Sequence, residues 1–196
     1  MNIMKKWVFY VIILLVVACG SKDRKVNLES KPEAPLSIAN KDELFNQSFG
    51  KLLNDYYQLK DNFITEDDSL ITYYANNLMT DADSLKFKEL KADSAIVLTA
   101  KSGAESMSGE LKGLLGEKNM EEKRRSFYTL SEELYDLIRT VQYDKQTVYH
   151  FHCPMAFNSA GATWLSNSLE IKNPYLPKKM PTCGEVTDSL NFGIKK

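Results

Sequence analysis

The chain has 196 residues, 43% hydrophobic and 26% charged, with 9 Gly and 6 Pro, which excludes a disordered or collagen-like chain and suits a single globular domain. Its 25 Lys and Arg face 26 Asp and Glu, a formal charge of -1, so there is no basic surplus to neutralise phosphates and no nucleic-acid partner is expected. Two His and three Cys are few enough to weigh singly.

Lys5 and Lys6 precede an unbroken apolar run, Trp7 to Ala18, followed by Cys19, Gly20 and a polar stretch. This pattern predicts a signal peptide over 1–18. The run is shorter than the roughly 20 residues a spanning helix needs, and Val16-Val17-Ala18-Cys19 resembles a bacterial lipobox. Cys19 is then the lipidated first residue, which predicts a protein of the cell envelope, facing the periplasm or on the outer membrane and held to the membrane by lipid alone. Cleavage would remove Lys5 and Lys6 and no acid, moving the charge from -1 to -3. Residues 19–40 read as the lipidated Cys and a polar tether carrying Pro32 and Pro35.

Phe45, Phe49, Leu52, Tyr56, Leu59 and Phe63 recur at spacings of four and three, the seam of an amphipathic helix, with Asn40 and Glu43 as a capping-box-like start. A second helix is expected from Thr65, with Ile71, Tyr74, Leu78, Ala82 and Leu85 as its buried stripe. A third is expected over Lys91 to Leu115, with a break left open because Gly103 and Gly109 lower its propensity. Gly116 reads as a stop and Asn119 as the next cap, and Phe127, Leu130, Leu134, Leu137 and Val141 mark a fourth helix. Each helix has one apolar stripe that it cannot bury alone. The predicted fold is therefore mainly α: an antiparallel four-helix bundle over 41–143, a C-terminal extended, loop-rich hook over 144–187 packed on it, and a tail over 188–196. Tyr56, Tyr57, Tyr73 and Tyr74 read as core or rim residues, and the run Glu121 to Arg125 as a solvated face.

The chemistry concentrates in the hook. Thr147 to Cys153 alternates and is β-branched or aromatic, which predicts a strand or extended segment holding both His residues, His150 and His152. Cys153-Pro154-Met155 follows at once, and a second sulfur cluster comes at Met180-Pro181-Thr182-Cys183. The turn-rich stretch between them is expected to fold the second cluster onto the first. Thiolate and thioether sulfur select Cu(I), and by the same softness Ag(I), over Mg, Ca or Mn. The candidate ligands are Cys153, Met155, Met180 and Cys183. In an extended chain His150 and His152 share the face opposite Cys153, so either imidazole joins only if the chain bends near Pro154. Zinc is the lesser alternative, since two Cys and two His could form a tetrahedral site although the spacing is not that of a usual zinc finger. A Cys153–Cys183 disulfide is the competing reading, worth about 3–4 kcal/mol by loop closure.

The strings His152-Cys153-Pro154-Met155-Ala156-Phe157, Gly161-Ala162-Thr163-Trp164-Leu165, Ile171-Lys172-Asn173-Pro174-Tyr175 and Met180-Pro181-Thr182-Cys183-Gly184-Glu185-Val186 resemble the domain of unknown function 3347 family of bacterial envelope proteins. The similarity extends upstream through Tyr56-Tyr57-Gln58-Leu59-Lys60 and Arg125 to Ser131, most of residues 41–187. Members occur as lipoproteins or attached to periplasmic adaptor subunits of heavy-metal efflux pumps. The resemblance implies copper or silver handling, with Cys153, Met155, Met180 and Cys183 at the family-like sulfur positions. Leu176-Pro177 stands where a Gly is expected after Asn-Pro-Tyr, and Pro181 follows Met180. The expected function is thus binding of Cu(I) or Ag(I), for buffering or hand-over to an efflux adaptor or other envelope protein. The alternative is a non-enzymatic interaction or scaffold module latched by Cys153–Cys183, with Trp164 and Tyr175 forming its packing or docking surface. No enzyme is expected: the chain has no Cys-x-x-Cys, Gly-rich phosphate loop, nucleophile elbow or His-Glu-x-x-His.

Overall fold

The computed structural model describes residues 40–193. The signal peptide over 1–18, Cys19, nearly all of the tether and the last residues of the tail lie outside this range.

Helix α1 (Glu43–Thr65) buries all six residues of its expected seam, Phe45 to Phe63, with no exposed surface. Its cap is Asp42, not Asn40: the Asp42 carboxylate accepts from the Leu44 amide at 3.0 Å. Asn40 is instead in the two-residue strand β1 (Asn40–Lys41), paired with β2 (Leu90–Lys91), which leaves Asp42 as the extended residue at the helix mouth. Glu66 takes a left-handed conformation (φ 59°) and ends α1, so α2 (Asp68–Ser84) starts two residues later than expected, capped by Asp67 rather than Thr65. On α2 Ile71, Ala75, Leu78 and Ala82 are buried, whereas Tyr74 sits at the rim.

Helix α3 (Ser94–Gly116) forms as expected and runs unbroken through Gly103 and Gly109. Ala100, Ala104, Met107, Leu111 and Leu114 repeat at helical spacing and are buried, and that burial offsets the roughly 1 kcal/mol each glycine costs. A Cβ at Gly103 would lie 3.7 Å from Leu137, so this glycine also lies against the next helix. That helix, α4 (Met120–Val141), is capped by Asn119 as expected, and its five predicted core residues are buried. Consecutive long helices are neighbours, α1 with α2, α2 with α3 and α3 with α4, around one shared apolar core. Among the described residues no helix is long and apolar enough to cross a membrane.

In the run Glu121 to Arg125, Glu121, Glu122 and Arg125 are exposed as expected, but Lys123 and Arg124 are not. Lys123 is buried and pairs with Asp68, and Arg124 donates to Phe63 O, to Glu66 and to the Pro174 carbonyl at 2.8 Å. Arg124 thereby ties the α1–α2 corner to the C-terminal segment.

That segment is extended and loop-rich, as expected, and its extended parts pair into a three-stranded sheet. Strand β3 (Val148–Cys153) lies at its centre, between β4 (Ala162–Ser166) and β5 (Glu185–Leu190), with both pairings antiparallel. The stretch expected to be turn-rich includes β4, because Ala162-Thr163-Trp164-Leu165 can alternate against β3. Strand β5 runs through the expected boundary between hook and tail at 187/188. Its partners step from Asp188 opposite His150 to Val186 opposite Phe151, which leaves Thr187 as the extra residue of a β-bulge. Trp164 stacks on its cross-strand partner Phe151 with ring centroids 5.2 Å apart. Gly184 crosses directly over the indole: a Cβ there would lie 2.5 Å from a Trp164 ring carbon.

Candidate metal and thiol site

Alternation along β3 sends its side chains two ways, as the sequence predicts. Phe151 and Cys153 are fully buried, while His150 and His152 are partly exposed. The turn after Cys153 places Phe157, Asn158 and Ser159 in left-handed conformations (φ 51°, 58° and 70°), and Gly161 (φ 86°) returns the chain into β4. The segment after β4 then carries Cys183 back to Cys153. The two sulfurs, 30 residues apart in sequence, lie 2.8 Å from each other, and no disulfide bond joins them in this structure.

Asn173 shapes that returning segment. Its side-chain oxygen accepts from the amides of Tyr175 (2.8 Å) and Leu176 (3.0 Å), and its side-chain nitrogen donates to the Cys183 carbonyl at 2.8 Å. Its own amide donates to Pro181 O at 2.9 Å. The Cys183 amide donates to Met180 O at 3.1 Å, closing the one-turn link between the second Met and Cys.

Cys153 is wholly buried and Cys183 only partly so. The neighbouring Cys153 thiol, then burial, push the Cys183 thiol above its ordinary range, while a hydrogen bond from the Met155 amide to its sulfur works in the opposite direction. Met155 and Met180 therefore flank Cys183 through their backbones, and their side chains are 44% and 41% exposed. Cys153 is buried at the end of the strand, whereas Met155 lies past it, exposed in the turn.

The imidazoles belong to a different arrangement. His150 Nδ1 lies 2.7 Å from the Thr187 hydroxyl and Nε2 lies 3.1 Å from the Glu132 carboxylate, with the ring against Tyr135 at 4.4 Å. Glu132 also accepts from the Thr163 hydroxyl, and its carboxyl is held below its ordinary range, first by His150. Both nitrogens of His150 are thus engaged toward α4 and β5, away from the sulfurs. His152 packs against Gly161, where a Cβ would meet its Nε2 at 2.8 Å. Among the described residues no group of three or more His, Cys, Asp or Glu side chains is arranged to hold a metal ion. The donors that come together are two thiols, a pair suited to a soft monovalent cation and short of the four donors zinc takes.

Sequence reasoning missed Glu132, Thr187 and Asn173. The Asn173-Pro174 pair is a turn signal that could have marked Asn173, whereas Glu132 and Thr187 carry no local sign of their partners. A cavity of about 820 Å³ lies elsewhere, beside the end of α2 and α3, and none of the sulfur or imidazole residues lines it.

No curated protein and no solved structure gives a significant match to this chain. A family model described as "Protein of unknown function (DUF3347)" matches residues 52–146, from the middle of α1 through α4. The match stops before β3 and leaves Cys153 and Cys183 outside it. Residues 52–146 of this chain are thus similar to the DUF3347 family of proteins of unknown function.

Proposed function

We propose that this is a non-enzymatic, lipid-anchored envelope protein that binds Cu(I) or Ag(I) through Cys153 and Cys183. It buffers the ion or passes it to an efflux adaptor or another envelope protein. The four long helices, read as an antiparallel bundle, serve as the scaffold, and Cys19 as the lipidated residue. One observation carries this reading: Cys153, fixed in the central strand, meets Cys183, partly open to solvent and flanked by exposed Met155 and Met180. Bound there, the cation would be held by the two sulfurs, and the thioethers give an incoming or departing ion soft donors at the surface. His150 has no free nitrogen to contribute, and His152 lies on the other face of β3.

The test is an anaerobic Cu(I) titration of the reduced protein against a chromophoric chelator, with Cys153→Ser/Cys183→Ser in parallel. Wild type should take the ion from the chelator and the double variant should not. Equal competition by the two proteins, or none by either, overturns the reading.

The sulfur contact and the complete burial of Cys153 also favour a second reading, a Cys153–Cys183 disulfide that latches the sheet in an interaction module. Oxidation would close a loop of about 30 residues and stabilise by about 3–4 kcal/mol. Intact mass measured under non-reducing conditions on protein taken from cells decides it: a fully formed disulfide favours the latch, and two free thiols remove it.

A further inference from the structure

Asn173 is 1% exposed and commits its amide and both polar atoms of its side chain to one ten-residue segment. Two of these bonds turn the chain through Tyr175 and Leu176, and the other two reach across to Pro181 and to the Cys183 carbonyl. Its side-chain bond to the Cys183 carbonyl fixes the backbone that carries the second sulfur. Cys153 needs no such help, because β3 is hydrogen-bonded on both sides. The encounter of the sulfurs therefore depends on how firmly the 173–183 segment is closed on itself.

We propose that Asn173 is the positioning residue of the sulfur pair: it holds Cys183 against Cys153 and so sets the effective concentration of one thiol at the other. This rests on the reading of Cys153 and Cys183 as the working site, and it extends that reading to what regulates the site. The same closure that offers two sulfurs to a soft ion also favours their oxidation, so Asn173 sets the poise between a metal-competent dithiol and a closed disulfide. With oxidised glutathione as oxidant, the more exposed Cys183 attacks as thiolate, forming a mixed disulfide and releasing one glutathione thiolate. Cys153 then attacks the Cys183 sulfur, forming the Cys153–Cys183 bond and releasing the second. The two protein thiols supply the two electrons, and their protons pass to the released glutathione.

The experiment equilibrates the full chain in glutathione buffers of varied ratio and reads the oxidised fraction by the mass shift on thiol alkylation, with no metal present. Asn173→Asp keeps an acceptor for the Tyr175 and Leu176 amides but sets a carboxylate oxygen against the Cys183 carbonyl. Asn173→Ser removes the donor to that carbonyl without adding charge. Either should require at least about a tenfold more oxidising buffer to reach half oxidation, with far-ultraviolet circular dichroism unchanged. Lys178→Ala, which removes the same segment's ion pair to Glu66, should leave the midpoint where it is. Unchanged midpoints in the folded Asn173 variants overturn the proposal, and so does an equal shift in Lys178→Ala, which would mark general loosening. Because the readout contains no metal, failure of Cu(I) binding by the wild type would remove the metal reading and leave this result standing.

Discussion

The helical body and the C-terminal sheet are held by different means. In the body, four helices of 17 to 23 residues bury repeating apolar stripes, and nearly every position of those stripes is interchangeable in kind. In the sheet, strands of five or six residues are fixed by single contacts between elements distant in sequence. Tyr56 Oη accepts from the Leu165 amide and bonds Ser131, Arg124 holds Pro174 O, and Glu132 holds His150 and Thr163. Burial accordingly drives the Tyr56 phenol far above its ordinary range, which keeps it neutral and able to serve in that bond. The body tolerates a poor propensity such as that of Gly103, whereas the sheet depends on particular side chains. A site that must bring two distant cysteines together is built from the second kind of region.

The sharpest way to break this comparison is Trp164→Ala. The indole is 1% exposed, stacked on Phe151 and covered by Gly184, and its loss should cost about 3–5 kcal/mol in denaturant unfolding. Because Tyr56, Arg124 and Glu132 join sheet and helices, near- and far-ultraviolet circular dichroism should still melt together. Two separated transitions would show that the regions are independent.

Arg124→Ala cuts fewer contacts and should cost about 2 kcal/mol, since it strips charge-assisted bonds from the largely buried carbonyls of Phe63 and Pro174. Amide exchange should speed up in 173–183 more than in α3, and uniform acceleration would argue against a specific tie between helix corner and sheet. The smallest effect belongs to the body alone. Burial, then Glu110, push the Glu133 carboxyl up to about 7 from an ordinary value of 4.5. The folded chain keeps this proton where the unfolded chain has lost it, so the contribution is greatest below pH 4.5, falls as pH rises toward 7 and is level above. Glu133→Gln should flatten that slope and, with solvent screening of a half-buried group allowed for, gain about 1 kcal/mol above pH 7. A chemical-denaturation series across pH 4 to 8 reads it, and an unchanged slope sinks the assignment.

Much of the body was legible because its information is local. The three-four spacing from Phe45 to Phe63 and from Phe127 to Val141, and the cap at Asn119, report a period and an end within a few residues. The errors also came from local competition, since Asp42 and Asp67 capped in place of Asn40 and Thr65. Burial against neighbouring helices decided the break left open in α3 and carried that helix through its glycines. At the site, the alternation of His150 and His152 against Cys153 and the meeting of the two sulfur clusters were readable from residue type and period.

The sequence alone determined the helical stripes, the strand at Val148 to Cys153 and the sulfur-rich composition of the C-terminal segment, because these follow from spacing and side-chain chemistry. Only the tertiary structure decided that β4 and β5 flank β3, that His150 is spent on Glu132 and Thr187, that Asn173 bonds the Cys183 carbonyl, and that Cys183 lies within 2.8 Å of Cys153. Those outcomes depend on pairings between residues up to 37 positions apart at the site, and 109 apart between Tyr56 and Leu165. Periodicity carries no record of such partners, because the free energy that selects them arises only when the chain has closed.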